Sequence, residues 1–290
     1  MDEFKKAWGV DQWAAYFARQ ELPVMSRSKQ LLQEMEELEG DLLSPKELAT
    51  LVIADPLLCL RLLRQAERGK STRLGNETTT ALAAILQLGI NGFRRLLLSS
   101  PEVDEQNTGL LAVEARARIA GQVSLHWATG RMDMHPEELA VAALIADTGE
   151  LLMWVYAPQI AQAAQAAVHS GQAQRSSQAQ RQVCGFTFKE LTLRCAELWA
   201  MPSLVLQLLH GADSARAQLA RVGSNAARHI LDTSPTALLA LAFDVAEAKN
   251  LVPAVSVEWL VAELPMLSDA QKEDLIVQTR QVLADQIGSA

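Results

Sequence analysis

The sequence predicts an all-α fold, a helical bundle in two sub-domains followed by a C-terminal helical extension. Aromatic residues make up only 5% of the chain, and runs of β-branched residues are scarce. Alanine, leucine, glutamine, glutamate and arginine recur throughout, and these residues lose little side-chain freedom in a helix. Apolar residues also return at helical spacing between recognisable start and stop signals.

Length and composition restrict the class of protein. The 290 residues, 49% of them hydrophobic, are enough for one large or two modest domains with proper cores. A net charge of -8 and a pI near 5.2 give no general attraction for phosphate backbones, so nucleic acid is not an expected partner. The charged N-terminus has no apolar signal region, and no apolar run approaches the ~20 residues that span a bilayer. We therefore expect a cytoplasmic protein that does not bind a membrane.

The three cysteines are Cys59, Cys184 and Cys195, an odd number without a Cys-x-x-Cys pair. Such a set neither frames a disulfide scaffold nor begins a zinc site. Cysteines of this kind are typical of small apolar positions on helices in a reducing compartment.

The opening residues 1–21 are predicted to form an accessory helix, over residues 4–19. Four aromatic residues cluster there at mixed helical spacings: Trp8, Trp13, Tyr16 and Phe17. We expect this aromatic side to pack on the body of the protein or on a partner.

Start and stop signals define the first sub-domain, about residues 22–100. An acidic helix over residues 29–38 ends at Gly40, and Ser44 with Glu47 then supplies a capping box with proline at the first helical position. Asp55 before a second proline repeats the start signal, and that helix fades in a polar loop over residues 68–77. Gly89 is a predicted C-terminal cap, followed by a short helix. The polar residues 101–109 are predicted to connect the two sub-domains.

The second sub-domain, about residues 110–213, is predicted to contain five helices. Their expected ranges are 110–129, 137–156, 159–169, 189–198 and 202–210. The Ala/Gln-rich segment 161–180 is interpreted as an exposed helix and loop. Residues 214–290 form the helical extension, in which Ser268 and Gln271 make another capping box.

Several spaced motifs together resemble the HDOD domain family. In the first half, the resemblance lies in a helix, an Asp-Pro-x-Leu start and an Ala-x-x-x-Leu-Gly segment, here Leu48-Ala49, Val52-Ile53, Asp55-Pro56-Leu57, Leu60, Leu62-Leu63, Ala81, Ile85 and Leu88-Gly89. In the second half it lies in an acidic turn, a helix similar to the family's Gly-Leu-Leu-His-Asp-Ile-Gly and a Trp-x-x-Pro corner, here Pro136-Glu137-Glu138, residues 142–149, Gly185, Leu191, Leu198-Trp199-Ala200-Met201-Pro202 and His210.

The resemblance covers roughly residues 22–213. It implies a helical fold related to HD-type metal hydrolases and a role in bacterial signal transduction. One departure is Ala66-Glu67-Arg68, where HDOD proteins usually show Ala-Asn-Ser.

A second departure concerns the metal chemistry of the HD-type relatives. These hydrolases hold a divalent cation with several His and Asp side chains, and the cation lowers the pKa of a bound water. At the His-Asp position this chain has Ala146 and Asp147, and alanine offers no lone pair. In the preceding helix, residues 113–118 contain no histidine but include Arg116 and Arg118, and the nearest histidine, His126, lies about two turns further along. Phe188 stands where relatives often have histidine. We therefore predict no metal, no cofactor and no catalytic residue, and hence no enzyme.

The histidines and Asp147 have ordinary structural explanations. None of the five histidines, His126, His135, His169, His210 and His229, shows metal-ligand spacing, although His210 matches a family position. Asp147 is expected to cap the following turn or to pair with Arg116 or Arg118.

Three hypotheses for function follow. The leading one is a non-catalytic regulatory module that binds another signalling protein, of unknown identity, or a second copy of itself. The rival is a residual metal-dependent phosphohydrolase or nucleotide phosphodiesterase that uses Asp147, His126 and His210. The third is a sensor in which the vacated metal pocket, with Arg116, Arg118, Phe188 and His210 as candidate residues, binds a nucleotide through an arginine.

Overall fold

The computed structural model describes residues 8–39, 43–69, 77–232 and 234–288. Within these ranges every regular element is a helix, and strand-like pairing is limited to an isolated parallel bridge between Val24 and Glu102. The all-α prediction is therefore confirmed. The start of the opening helix at Phe4, the helix end at Gly40 and most of the loop over residues 68–77 lie outside the described residues.

The first half of the chain contains helices α1 to α6. They are α1 (Val10–Arg19), α2 (Ser26–Glu39), α3 (Pro45–Ile53), α4 (Pro56–Arg68), α5 (Ala81–Leu88) and α6 (Ile90–Leu98). The predicted caps are present, because the Ser44 hydroxyl accepts from the Glu47 amide and Asp55 accepts from the first amides of α4. Gly89 ends α5 with φ +74°, a conformation that favours glycine.

The second half contains helices α7 to α13. They are α7 (Thr108–Ala128), α8 (Pro136–Leu144), α9 (Thr148–Tyr156), α10 (Pro158–His169), α11 (Ser176–Cys184), α12 (Phe188–Leu198) and α13 (Ser203–His210). The sequence-based prediction missed helix α11. It interpreted the end of the Ala/Gln-rich segment 161–180 as loop, whereas α11 begins there at Ser176.

The single helix predicted over residues 137–156 is wrong, since the chain turns between α8 and α9. The amide of Ala146 bonds to the carbonyl of Ala143, and that of Thr148 bonds to Ile145, so two tight turns replace the regular helical pattern. The break lets the backbone of Gly149 approach α12, where its amide donates to the Thr192 hydroxyl at 2.9 Å. No helix-breaking residue between α8 and α9 indicates this break in the sequence.

The C-terminal extension packs on the second half. It consists of α14 (Ala215–Leu231), α15 (Ala237–Leu251), α16 (Val257–Ala262) and α17 (Asp269–Gly288). Helix α14 lies against α7 and α8, and the indole Nε1 of Trp127 on α7 donates to the Leu260 carbonyl at 2.8 Å. The predicted capping box is present, since Ser268 and Gln271 exchange hydrogen bonds.

Helix α1 is built into the body rather than attached to its surface. It packs against α12, and the side chains of Trp13 and Phe17 are 0% exposed. Their rings contact Tyr16, and Phe17 also lies 5.6 Å from the ring of Tyr156 on α9. The aromatic side of α1 was expected to pack on the body of the protein or on a partner, and it packs on the body.

The segment Pro136–Tyr156 is long and apolar enough, by composition, to cross a membrane. About four-fifths of its most apolar window (78%) is buried inside the fold. The helix pair Ala81–Leu88 and Ile90–Leu98 passes the same test only if counted together, and it is bent by 102°.

Candidate functional site

A cavity of about 670 Å³ opens beside the break between α8 and α9. Ala146 and Asp147 line it from this break, Phe188 from the start of α12, His210 from the end of α13 and Arg228 from α14. We call this cavity the Asp147 pocket. It contains the position at which HD-type hydrolases carry their His-Asp pair.

Both carboxylate oxygens of Asp147 are bound by arginines. Arg116 Nε donates to Oδ2 at 2.9 Å, and Arg228 Nη2 donates to Oδ1 at 2.8 Å. Arg116 also donates through Nη2 to Glu150 Oε2 at 2.7 Å. The result is a chain of ion pairs in which Arg116 joins Asp147, just before α9, to Glu150 in the first turn of α9.

The electrostatics of this group favour the ionised carboxylate. Burial of the Asp147 carboxyl opposes its ionisation, but the charges of Arg116 and Arg228 outweigh burial and hold its pKa below the ordinary value of 3.8. Burial likewise opposes the charge on Arg116, but Asp147 and Glu150 outweigh it and raise the pKa of Arg116. Asp147 is therefore a charged and fully paired anion at neutral pH.

The residues around Asp147 do not fit a hydrolytic metal centre. Ala146 offers no donor atom, and Asp147 already shares its two oxygens with two guanidinium groups. Across the described part of the chain, no three His, Cys, Asp or Glu side chains lie together in a way that could hold a metal ion. A catalytic divalent ion needs several such ligands and a site free of competing cations.

The structure separates the other candidate residues. Phe188 and His210 line the Asp147 pocket, the first buried and the second exposed. Arg118 lies 3.7 Å from Glu114, one turn earlier on α7, and is not among the lining residues. His126 stacks on Trp259 of α16, with 4.4 Å between ring centroids, and so does not join Asp147 in the pocket.

Asp147 makes one of the contacts expected from the sequence. It pairs with Arg116, whereas its side chain makes no cap hydrogen bond to α9. Sequence reasoning missed Glu150 and Arg228. Glu150 had a signal, because a carboxylate three residues after Asp147 lies on the same helix face. Arg228 had none, since 81 residues separate it from Asp147.

The profile of the HDOD domain matches residues 25–213, about two thirds of the chain. The chain belongs to the HDOD domain family. No curated protein sequence matches it.

Solved structures share the HDOD fold at low sequence identity. The MmoQ response regulator from Methylococcus capsulatus is 19% identical, with a TM-score of 0.63, and the match covers 89% of this chain and 98% of that one. A virulence factor from Campylobacter jejuni is 14% identical, with a TM-score of 0.71, and the match covers 92% of this chain and 97% of that one. These matches reach beyond the residues of the HDOD profile, so the likeness in fold includes flanking helices.

The boundary of the HDOD match divides the Asp147 pocket. Asp147 and Glu150, which line this pocket, lie inside the matched residues, as does their partner Arg116 beside it, whereas Arg228 lies on α14, after residue 213. The C-terminal extension therefore completes the ion-pair chain of the HDOD domain.

Gly149, in the HDOD motif after Asp147, is placed where a side chain does not fit. A Cβ atom at this position would lie 2.3 Å from the Phe188 carbonyl oxygen and 2.9 Å from the Thr192 amide. Both are backbone atoms of α12, which cannot turn aside as a flexible side chain can.

We expect Gly149→Ala to lower the free energy of unfolding by about 3 kcal/mol, the upper end for overpacking, because α9 and α12 must separate. Urea unfolding followed by circular dichroism measures this change. Gly92→Ala is the matched control. Gly92 lies in α6, and its Cβ would only touch the Cβ of Leu88, at the end of α5, at 3.4 Å. The better helix propensity of alanine should therefore stabilise that variant by up to about 1 kcal/mol. Equal stability of Gly149→Ala and the wild type would contradict the close approach.

Proposed function

We propose that this chain is a non-catalytic regulatory module of bacterial signal transduction that acts by binding another protein. The observation that carries the proposal is the double ion pair at Asp147. In the position of the HD pair, the last remaining acidic group is neutralised by Arg116 and Arg228. The arginines take the electrostatic role that a metal has in HD-type hydrolases, without supplying a Lewis acid or an activated water.

The alternative, a residual metal-dependent phosphohydrolase, requires Asp147 to exchange these partners for a cation. The Arg116 side chain is only 18% exposed, and it would be left beside the metal together with Arg228. Two fixed positive charges near a divalent ion oppose its binding. Of the two histidines that this alternative needs, His210 lines the Asp147 pocket, but His126 stacks on Trp259 of α16 instead. The geometry therefore favours the non-catalytic function.

Two observations support a protein as the binding partner. The similar structure from Methylococcus capsulatus is named a response regulator, which associates this fold with signalling. In this chain, Leu239 and Phe243 lie one turn apart on α15 and are 48% and 53% exposed. An exposed apolar pair in the C-terminal extension offers a contact for a partner, or for a second copy of the chain.

The proposal predicts that restoring the His-Asp pair does not restore a metal site. We expect Ala146→His to bind no stoichiometric Mn²⁺, Fe²⁺ or Zn²⁺ and to hydrolyse bis(p-nitrophenyl) phosphate no faster than the wild type, because Arg116 and Arg228 still neutralise Asp147. Ala146 is 8% exposed, so the imidazole should also destabilise the fold by about 1–3 kcal/mol. Elemental analysis of the dialysed protein and a hydrolysis assay with added metal measure these properties.

Ala146→Leu is the matched control, since it adds a similar volume without a ligand atom. The two variants should be equally inactive and similarly destabilised. Wild-type protein that carries a stoichiometric metal ion and cleaves the phosphodiester would overturn the proposal. A gain of metal-dependent cleavage in Ala146→His alone would show that the arginines do not block the site.

A further inference from the structure

A second cavity, of about 390 Å³, lies between the end of α1 and α4. Four arginines line it: Arg19 at the end of α1, and Arg61, Arg64 and Arg68 along α4. We call it the arginine pocket. Such a concentration of positive charge is unexpected in a chain with a net charge of -8.

Hydrogen bonds to the backbone account for part of this cluster. Arg61 donates to the Leu22 carbonyl at 2.7 Å, Arg64 donates to the carbonyls of Ala18 and Gln20, and Arg68 donates to Ala18 at 3.4 Å. Cations favourably meet the unpaired carbonyls at the end of a helix.

These contacts do not balance the charge. Among the described residues, the carboxylate paired with the cluster is Glu21, which binds Arg61 at 2.7 Å. Arg19, Arg64 and Arg68 have no carboxylate partner there, and the Nε atoms of Arg61 and Arg64 have no hydrogen-bond acceptor. Counting the described residues, the pocket therefore holds about three positive charges without a paired carboxylate, and it has unused hydrogen-bond donors.

Arg64, at the back of the pocket, is held in place by the fold itself. Arg64 is 8% exposed, and its guanidinium lies 4.8 Å from the ring centre of Trp199. Burial, followed by the neighbouring Arg68, lowers the pKa of Arg64 to about 10. A cation that is both desolvated and repelled by a like charge gains more from an anion than a cation in water does.

We propose that the arginine pocket binds a small, soluble anion that carries a phosphate group. The planar guanidinium fork matches the geometry of phosphate oxygens and binds them through two parallel hydrogen bonds. The cavity volume falls within the range of about 300–1,000 Å³ that is usual for small-ligand sites. The exposed Arg19 and Arg68 would bind the phosphate directly, while Arg61 and Arg64 supply the positive field behind them.

The arginine pocket lies where a bound ligand would join the two halves of the chain. Helix α1 packs on α12 in the second half, whereas α4 belongs to the first half, and Arg64 reaches Trp199 at the end of α12. An anion that bridges Arg19 and Arg68 would fasten α1 to α4 and so stabilise the joined halves. This inference is independent of the function proposed for the Asp147 pocket.

The test is calorimetric titration of the full chain with inorganic pyrophosphate, at constant ionic strength set by chloride. We expect saturable binding and a higher unfolding temperature with the ligand. Loss of one charged hydrogen-bond donor weakens a complex by about tenfold or more, so Arg19→Gln and Arg68→Gln should each bind pyrophosphate at least that much more weakly. Both side chains are exposed, so these variants should fold.

Arg175→Gln is the matched control. Arg175 is also exposed but precedes α11 and does not line the arginine pocket, so this variant should bind pyrophosphate like the wild type. Absence of saturable binding to the wild type, or equal weakening in all three variants, would overturn the proposal and leave the arginines as caps of α1. Binding to phosphatidylcholine vesicles that contain phosphatidic acid, without binding to pyrophosphate, would also overturn it, because the site would then recognise a membrane surface.

Discussion

Replacing Arg116 with methionine is expected to lower the free energy of unfolding by about 3–5 kcal/mol at neutral pH, because the change leaves two partly buried carboxylates without a shared cation. The side chains of Asp147 and Glu150 are only 20% and 22% exposed, so water replaces the lost guanidinium poorly. Methionine retains much of the apolar stem of arginine and limits the loss of packing. Urea unfolding followed by circular dichroism measures the change.

The effect of Arg116→Met should depend on pH. The pKa of Asp147 is lower in the folded protein than its ordinary value of 3.8, so folding favours the ionised form. The stabilisation from this group is therefore present above 3.8 and is lost as the pH falls through the lower folded value. The difference between wild type and Arg116→Met should shrink in that acidic range. A difference that is unchanged by acid would mean that Asp147 is not the group responsible.

Arg228→Met is the control for burial at the same carboxylate. The Arg228 side chain is 49% exposed, and exposed ion pairs contribute up to about 1 kcal/mol. We expect Arg228→Met to lower the free energy of unfolding by less than this amount. Similar losses in the two variants would show that α14 contributes as much to the site as α7 does.

Trp13→Ala is expected to lower the free energy of unfolding by about 3–5 kcal/mol, as for other large side chains truncated in a core. Trp13 is fully buried and its ring lies 5.5 Å from that of Phe17, so the cavity cannot be filled by small movements of exposed groups. Unfolding in urea should remain a single transition with a lower midpoint, because α1 is continuous with the core. Phe243→Ala is the control, since that ring is 53% exposed and its loss should cost under about 1 kcal/mol. A midpoint for Trp13→Ala equal to that of the wild type would show that α1 is accessory.

The helix starts were predictable because their signals are local. Ser44, Asp55 and Ser268 each bond to amides within three residues, so the sequence around them contains the whole interaction. The break at Ile145 and Ala146 was not predictable in this way. It accompanies the packing of Gly149 against α12, which lies about 40 residues further along the chain.

The candidate site shows the same division. Ala146, Phe188 and the lack of histidine over residues 113–118 are properties of the sequence, and they suffice to predict a site that lacks metal ligands. The choice of Arg116 over Arg118 as the partner of Asp147 depends on which face of α7 meets α9. Both faces carry an arginine, so helical periodicity alone leaves the two alternatives open.

By itself, the sequence determined the all-α class, the positions of the main helix starts and the resemblance to HDOD domains, because these depend on composition and on short-range spacing. The tertiary structure alone decided three other properties. It buried α1 in the core, brought Arg228 of the C-terminal extension to Asp147 and gathered four arginines beside the end of α1. Each of these joins residues tens of positions apart, and only the packing of whole helices sets which distant side chains meet.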